Sequence, residues 1–179
     1  MLKAIDAARF FIYLMQDEEN DLCNLKLNKL LYYAQGCHLK RTGKPLFSDS
    51  IEAWKHGPVV ADIYHAYKSF GNRPINEFDG ELDSSNFDEL EMQTLLDTAR
   101  EFGKYSASAL REMTHQPNTP WSLYYKEGER SIIIPNENIK SYFNNSVSIG
   151  HFEPDFSEED EIGYRDDEGY LVLPADYED

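Results

Sequence analysis

The chain has 179 residues, a length that predicts one domain with an appendage rather than two full domains. Hydrophobic residues make up 41% of it and aromatic residues 13%, enough to bury a core, which excludes wholesale disorder. The formal net charge of −16 disfavours direct binding to nucleic acid or to an anionic membrane. Residues 151–179 contain twelve Asp and Glu and one Arg, a net of −11, which leaves −5 for the first 150 residues. A basic partner surface would be attracted to this acidic tail.

The first twenty residues are typical of an amphipathic helix rather than a signal peptide, because Lys3, Asp6 and Arg9 interrupt the apolar positions. No segment reaches the roughly 18 apolar residues that a membrane span needs. The two cysteines, Cys23 and Cys37, are too few for a disulfide framework. These features predict a reduced, cytoplasmic protein.

Apolar residues at helical spacing predict a mainly α-helical body, with a first helix over residues 4–16. Asn24 is a candidate N-cap for a second helix, which ends at RTGKP (41–45). The apolar surface of this helix is broad, so we expect it to be the central helix of the core. The next long helix is predicted over residues 90–103, and its register places Leu96 among the core-facing residues. Three further helices are predicted: one capped by Ser106 that ends at 115–117, one opened by Thr119 and Pro120, and a short one capped by Asn136.

Residues 51–60, IEAWKHGPVV, predict a corner of the fold. A short strand before Trp54 would lead to a turn at Gly57, and Pro58 would open a helix. We expect Trp54 to pack into the core and His56 to lie at the turn. Complete burial of the Trp54 ring would make Trp54→Ala cost about 3–5 kcal/mol of stability. A second strand candidate is SIIIP, residues 131–135.

The common catalytic and nucleotide-binding motifs do not occur in the sequence, and the spacing of the cysteines predicts no metal site and no cofactor. One catalytic alternative stays open. Glu52, His56 and His115 could converge as a carboxylate-oriented general base, with Trp54 and Trp121 as the walls of a pocket. His115 suits a helix C-terminus equally well.

The tail segment EEDEIGYRDDEGYLVLP contains apolar residues that a purely solubilising tail does not need. Its pattern predicts a small hairpin or an extended segment that adds to a partner, against the alternative of a solvated tail. The candidate partner-binding residues are Tyr164, Tyr170, Leu171, Val172 and Leu173.

Several motifs resemble one known family in order along residues 1–145. They are KLNKLLYYAQG (26–36), PLF (45–47), IEAWKHGPVV (51–60), YxxYKSFG (64–71), PI (74–75), SAxxLxxxTH (106–115), PW (120–121) and IxxYF (139–143). This order resembles the Panacea domain, also called the SocA-like antitoxin or phage-associated GepA domain. The resemblance divides the chain into a helical domain, residues 1–146, and an acidic extension, residues 147–179. Its signature residues here are Trp54, His56, Gly57, Pro58, His115 and Trp121.

The resemblance implies a mostly helical, non-enzymatic antitoxin of bacterial or phage toxin–antitoxin pairs, a setting connected with phage defence. Its partner would be a cognate toxin with a basic surface, including tRNA- or nucleotide-modifying enzymes similar to alarmone synthetases. Neutralisation would occur by direct contact in a hetero-oligomer. The acidic extension lies outside the resemblance, and its charge and apolar residues alone make the five tail residues candidate contacts with the toxin. One branch of the family implies a different mechanism, in which an adaptor delivers the toxin to a ClpXP-type protease.

Overall fold

The structure is a computed structural model that describes residues 1–16, 21–76 and 82–145, together with the backbone of residues 164–165 and 171–172. Within these ranges it is mainly helical, which confirms the predicted fold class. In chain order the elements are α1 (Ala4–Leu14), α2 (Asn24–Thr42), β1 (Glu52–Trp54), β2 (Gly57–Val59), α3 (Ala61–Ala66), α4 (Glu89–Phe102), α5 (Ala107–His115), α6 (Pro120–Tyr124), α7 (Asn136–Asn145), β3 (Tyr164–Arg165) and β4 (Leu171–Val172).

The second helix is the centre of the core, as its sequence predicts. Fifteen of the 19 residues of α2 are buried, and α1, α3, α4, α5, α7 and β2 all pack against it. A helix that is buried on every side has to place its polar residues inside the protein as well. It ends at Gly43, whose φ of 76° is the left-handed conformation of a helix C-terminus.

Aromatic rings fill the space between α2 and its two largest neighbours, α4 and α7. Tyr33 stacks on Phe102 of α4 with ring centroids 4.2 Å apart, and the Phe143 ring of α7 lies 5.8 Å from that of Tyr32. Phe143 reaches this position because Gly36 has no side chain: a Cβ there would lie 2.3 Å from the ring. The close approach of α7 to α2 therefore depends on Gly36.

Residues 51–60 form a β-hairpin, so the predicted helix start at Pro58 is wrong. Strands β1 and β2 are antiparallel, with Ala53 opposite Pro58, and the next helix begins only at Ala61. The N–H of Ala53 donates to Ile132 at 2.8 Å and thus points away from β2. A proline fits opposite Ala53 because no ladder hydrogen bond is needed there.

The predicted strand at residues 131–135 is reduced to a single bridge. Ile133 lies opposite Glu52 in antiparallel orientation, and Ile134 N–H donates to Ile51 O at 2.8 Å. The segment lines the outer edge of β1 without forming a strand of its own.

Two predicted N-caps are displaced by one residue. Asn24 is the first residue of α2, whose cap position is Cys23, and its amide donates to Tyr64 O at 3.0 Å. Asn136 is likewise the first residue of α7, and its side-chain oxygen accepts from Gln35 at 3.1 Å. Both amides bind distant parts of the core rather than the start of their own helix.

The caps of the two short helices are confirmed. The Ser106 hydroxyl accepts from the N–H of Ala109, and the Thr119 hydroxyl from the N–H of Ser122. Pro120 occupies the first turn of α6, where its missing N–H costs nothing.

The buried face of α4 differs from the prediction. Leu95 and Phe102 are buried, but Leu96 is 40% exposed. Threonines 94 and 98 lie on the buried side instead. The hydroxyl of each donates a hydrogen bond to the backbone carbonyl four residues earlier, so it has a partner inside the protein.

Among the described residues, no helix combines the length and apolar character that crossing a membrane requires.

We expect Gly36→Ala to destabilise the domain by up to about 2 kcal/mol. The gain in helix propensity is about 1 kcal/mol, but overpacking against a buried ring costs about 1–3 kcal/mol or more. Chemical denaturation gives the free energy of unfolding. Adding Phe143→Leu to Gly36→Ala should recover part of the loss, because the smaller side chain leaves room for the methyl group. Strictly additive losses would contradict this account of the close approach.

Candidate functional site

The structure brings the six signature residues together at one place, which we call the signature corner: Trp54, His56, Gly57, Pro58, His115 and Trp121. Four of them belong to the hairpin. The other two join it through its backbone: the indole N–H of Trp121 donates to Trp54 O at 2.7 Å, and Nε2 of His115 lies 3.3 Å from Lys55 O. The corner therefore connects the hairpin to α5 and α6.

Gly57 is required at the corner for two reasons. Its φ of 107° is a backbone conformation that residues with a Cβ rarely adopt. An added Cβ would also lie 2.7 Å from Cε of Lys29 and 2.9 Å from the Thr114 hydroxyl. The hairpin turn thus lies directly against side chains of α2 and α5.

Lys29 lies beneath this turn and is 0% exposed. Its Nζ donates to Pro58 O at 3.0 Å. Burial, and secondarily the charge of Arg111, lowers the pKa of the Lys29 amine to about 7. Sequence reasoning missed this residue, although its place within the fully buried helix α2 was a signal for its burial.

His56 and His115 are both held neutral at pH 7. Burial, followed by the charge of Arg111, lowers the pKa of each to about 4. Nδ1 of His115 lies 2.8 Å from Arg111 O, and its ring packs on Trp121 with centroids 3.7 Å apart. Arg111 is a second residue that the sequence reasoning missed, since nothing local distinguishes it from a surface arginine.

The expectation that Trp54 packs into the core is wrong, since its side chain is only partly buried and lies outside the hydrophobic core cluster. Its ring contacts that of Tyr64 at 4.9 Å, and its indole N–H donates to the Glu52 carboxylate at 2.9 Å. Trp121, 8% exposed, is the more buried of the two tryptophans. The cost of Trp54→Ala should accordingly lie below the range for a fully buried ring.

The catalytic alternative required Glu52 to orient a histidine. Glu52 instead accepts from Trp54, and the two nitrogens of His115 lie against backbone carbonyls. The structure brings His56 and His115 into one electrostatic cluster without this carboxylate–histidine contact. Within the described residues, no group of three or more His, Cys, Asp or Glu could hold a metal ion.

Two short strands pair in the described backbone of the tail, in agreement with the hairpin, one of the two arrangements that its sequence predicts. Strands β3 and β4 are antiparallel, with Tyr164 opposite Val172 and Arg165 opposite Leu171. Two candidate partner-binding residues, 170 and 173, lie outside the described residues. The hairpin forms a sheet separate from that of β1 and β2.

Comparison with known proteins identifies the body of the chain. A family model described as "Antitoxin SocA-like, Panacea domain" matches residues 27–122, more than half of the chain. The chain belongs to this family. Antitoxin SocA of Caulobacter vibrioides (strain NA1000 / CB15N) is 31% identical over 116 residues, which cover 57% of this chain and 59% of the relative. No solved structure matches.

The Panacea match includes the whole signature corner and the side chains beneath it, from Lys29 to Trp121. It ends before α7 and the acidic tail. The corner thus lies within the part of the chain that the family model matches, whereas the tail lies outside it.

We expect Gly57→Ala to destabilise the protein by about 2–4 kcal/mol, through backbone strain of about 1–3 kcal/mol and the additional clash with Lys29 and Thr114. Gly128→Ala is the matched control, because Gly128 also has a positive φ, 77°, but an added Cβ there meets no atom of the described residues within 4 Å, its chain neighbours aside. Thermal and urea unfolding of both variants would measure the difference. Equal losses of unfolding free energy in the two variants would show that the contact of the turn with α2 and α5 adds nothing to the cost of Gly57→Ala.

The histidines predict a pH dependence of stability. Their folded pKa values of about 4 lie below the value of 6.5 for an unfolded chain, so the unfolded state binds more protons between the two. Their contribution is therefore complete above pH 6.5 and is lost as the pH falls from 6.5 to 4. It amounts to at most about 3 kcal/mol per histidine, less with solvent screening.

Urea unfolding at pH steps between 7 and 4 tests this dependence against the general effect of the carboxylates. His115→Gln should reduce the slope of unfolding free energy against pH in that window. His65→Gln, at an exposed position of α3, is the control for the loss of a histidine side chain. A wild-type slope in the His115 variant would show that His115 does not titrate in this way.

Proposed function

We propose that this protein is an antitoxin that neutralises a cognate toxin by direct protein–protein binding in the cytoplasm. The observation that carries the proposal is its membership of the SocA-like, Panacea-domain antitoxin family. The relative named Antitoxin SocA supports the same role. The side chains of the signature corner bind backbone groups and one another, an arrangement that stabilises a scaffold and needs no substrate.

We assign the main toxin contact to the acidic tail. Residues 151–179 have a net charge of −11, and the paired strands β3 and β4 lie within them. An isolated two-stranded hairpin is marginally stable in water, so packing against a partner would stabilise it. The contact residues of this proposal are Tyr164, Tyr170, Leu171, Val172 and Leu173, with the surrounding carboxylates increasing the rate of association.

The charge of the tail indicates the chemistry of the toxin. A surface that attracts a net charge of −11 has to be basic, as is the groove of an enzyme that binds tRNA or charged nucleotides. A tail in such a groove would compete with the substrate. A tRNA- or nucleotide-modifying enzyme similar to alarmone synthetases, one of the toxin types that the family resemblance implies, would have such a groove and is the toxin we propose.

Growth rescue tests the proposal. The gene adjacent to this one would be induced in a bacterial host, alone, with the full chain, and with the chain ended at residue 150. We expect the neighbour to arrest growth, the full chain to restore it, and the shortened chain to fail. A harmless neighbour would contradict the antitoxin assignment, and equal rescue by the shortened chain would contradict the assignment to the tail.

A charge-matched pair of variants separates the hairpin from the rest of the tail. Leu171→Asp in β4 should weaken toxin binding by at least about tenfold, because a charge would replace an apolar side chain at the centre of an interface. Ala175→Asp adds the same charge outside the hairpin and should change affinity less than about threefold. Titration of purified toxin by calorimetry gives both values, and equal effects would indicate that only charge matters.

The level of toxin in the same cells separates inhibition by contact from delivery to a protease. Direct neutralisation leaves the amount of toxin unchanged while growth recovers. A fall in toxin that requires the ClpXP protease would support the adaptor alternative. Loss of rescue in His56→Ala and His115→Ala variants that still bind the toxin would support the enzymatic one.

A further inference from the structure

One face of β1 places a carboxylate between an indole ring and an exposed isoleucine. Side chains alternate between the two faces of a strand, and in β1 the middle residue, Ala53, is the buried one. Glu52 and Trp54 therefore share the opposite face, where both are half-buried. Ile133 joins them because it forms an antiparallel bridge with Glu52. We call the surface formed by Glu52, Trp54 and Ile133 the β1 face.

The backbone of Ile133 is an unpaired edge beside this face. Ile132 and Ile134, on either side of it, form the backbone bonds to residues 53 and 51, each 2.8 Å long. In such a pair the N–H and C=O of Ile133 point away from β1. Neither group has a hydrogen-bond partner in the part of the chain that the structure describes, and the Ile133 side chain is 53% exposed. An edge of this kind can accept an extended peptide segment.

Glu52 keeps one carboxylate oxygen available for a cation. Its Oε2 accepts the indole N–H of Trp54 at 2.9 Å, whereas Oε1 has no hydrogen bond or ion pair among the described residues. Tyr64 supports the indole ring, with ring centroids 4.9 Å apart. The basic residue that follows, Lys55, lies in the turn beyond the end of β1. A carboxylate beside an indole ring suits a guanidinium group, which forms charge-assisted bonds with the first and a cation–π contact with the second.

We propose that the β1 face binds an extended segment of a basic partner protein, which adds to Ile133 as a strand and places one arginine over the face. In antiparallel pairing, the residue that exchanges both backbone bonds with Ile133 also shares its face, so this residue is the arginine. The added strand lies two strand spacings from Glu52, about 10 Å, a span that arginine and glutamate side chains bridge together. The arginine stem covers Ile133, and the guanidinium group meets Glu52 and Trp54.

Charge selects this occupant over an acidic or a purely apolar segment. The whole chain has a net charge of −16, which repels acidic segments and attracts basic ones. A purely apolar segment would cover the Glu52 carboxylate without giving it a partner, at a cost in free energy. The proposed function assigns the toxin contact to the tail, whereas this contact lies on the body of the protein. Either assignment can therefore fail without the other.

The probe is a fluorescent pentapeptide, acetylated and amidated, with a central arginine, valine on both sides and threonine at both ends. Fluorescence anisotropy with the full-length protein at about 0.15 M salt gives its affinity, with long-range attraction to the tail screened. Citrulline in place of the arginine removes the charge and should weaken binding at least about tenfold. Methylation of the arginine amide nitrogen keeps the charge but removes the backbone donor, and it should weaken binding at least about fivefold. No binding at about 1 mM peptide, or an unchanged affinity of either modified peptide, would overturn the proposal.

A matched pair of variants tests the carboxylate. Glu52→Gln removes the charge but keeps an oxygen acceptor for the Trp54 indole, and it should weaken binding of the arginine peptide at least about fivefold. Glu101→Gln removes the same charge from an exposed position on α4 and should change the affinity less than about twofold. Equal effects of the two variants would assign the attraction to net charge alone and overturn the proposal.

A second readout locates the peptide on the unaltered protein. The chain has two tryptophans, so a ¹⁵N spectrum contains two indole N–H signals, and Trp54→Phe assigns them. Binding of the arginine peptide should shift the Trp54 signal, with the same saturation curve as the anisotropy. Binding that leaves the Trp54 signal unchanged would place the peptide elsewhere and overturn the proposal.

Discussion

The fold depends on polar side chains of a fully buried helix that bind the backbone of the segments around it. Asn28 accepts the N–H of Val60 at 3.0 Å, and Gln35 accepts the N–H of Leu46 at 2.9 Å. Lys29 donates to Pro58 of the hairpin. Since a buried backbone group without a partner costs about 1–3 kcal/mol, these side chains let irregular segments cross the core.

The buried lysines of α2 also bind backbone carbonyls of the segments around them, but their burial has a cost in stability. Lys26 is 1% exposed and donates to Gly103 O at 2.8 Å, with Asp21 as its charge partner at 2.5 Å. Lys29 lies against the hairpin, where its lowered pKa shows that the fold disfavours its charged form. Such groups specify where a segment lies more than they stabilise it. The signature corner follows from this constraint, because the carbonyl of Pro58 has to meet the amine of Lys29.

Local signals predicted most of the helices and two of their four N-caps. Ser106 and Thr119 each accept a hydrogen bond from the N–H three residues later in their own helix, so the neighbouring sequence is sufficient to predict these caps. Asn24 and Asn136 carry the same signal, but bonds to Tyr64 and Gln35 determine their role. These partners lie 40 and 101 residues away, and no local pattern contains them.

The corner shows the same limit. The sequence drew attention to the dipeptide Gly57–Pro58, but the hairpin depends on pairing with β1, which a helix-start preference for proline does not reveal. Trp54 was expected inside because it is large, yet its place at the outer end of β1 leaves it partly exposed. Arg111 belongs to the site only because α5 packs beside α2.

The contacts at the corner also suggest how one scaffold can serve different partners. Lys29 and Trp121 each donate to a backbone carbonyl of the hairpin, and His115 lies against a third, so these contacts constrain the path of the main chain rather than the identity of the hairpin's side chains. Surface residues can then change without loss of these bonds. The tail, to which we assign the partner contact as a proposal, lies beyond the Panacea match and carries most of the net charge, so on that proposal recognition could change there without altering the corner.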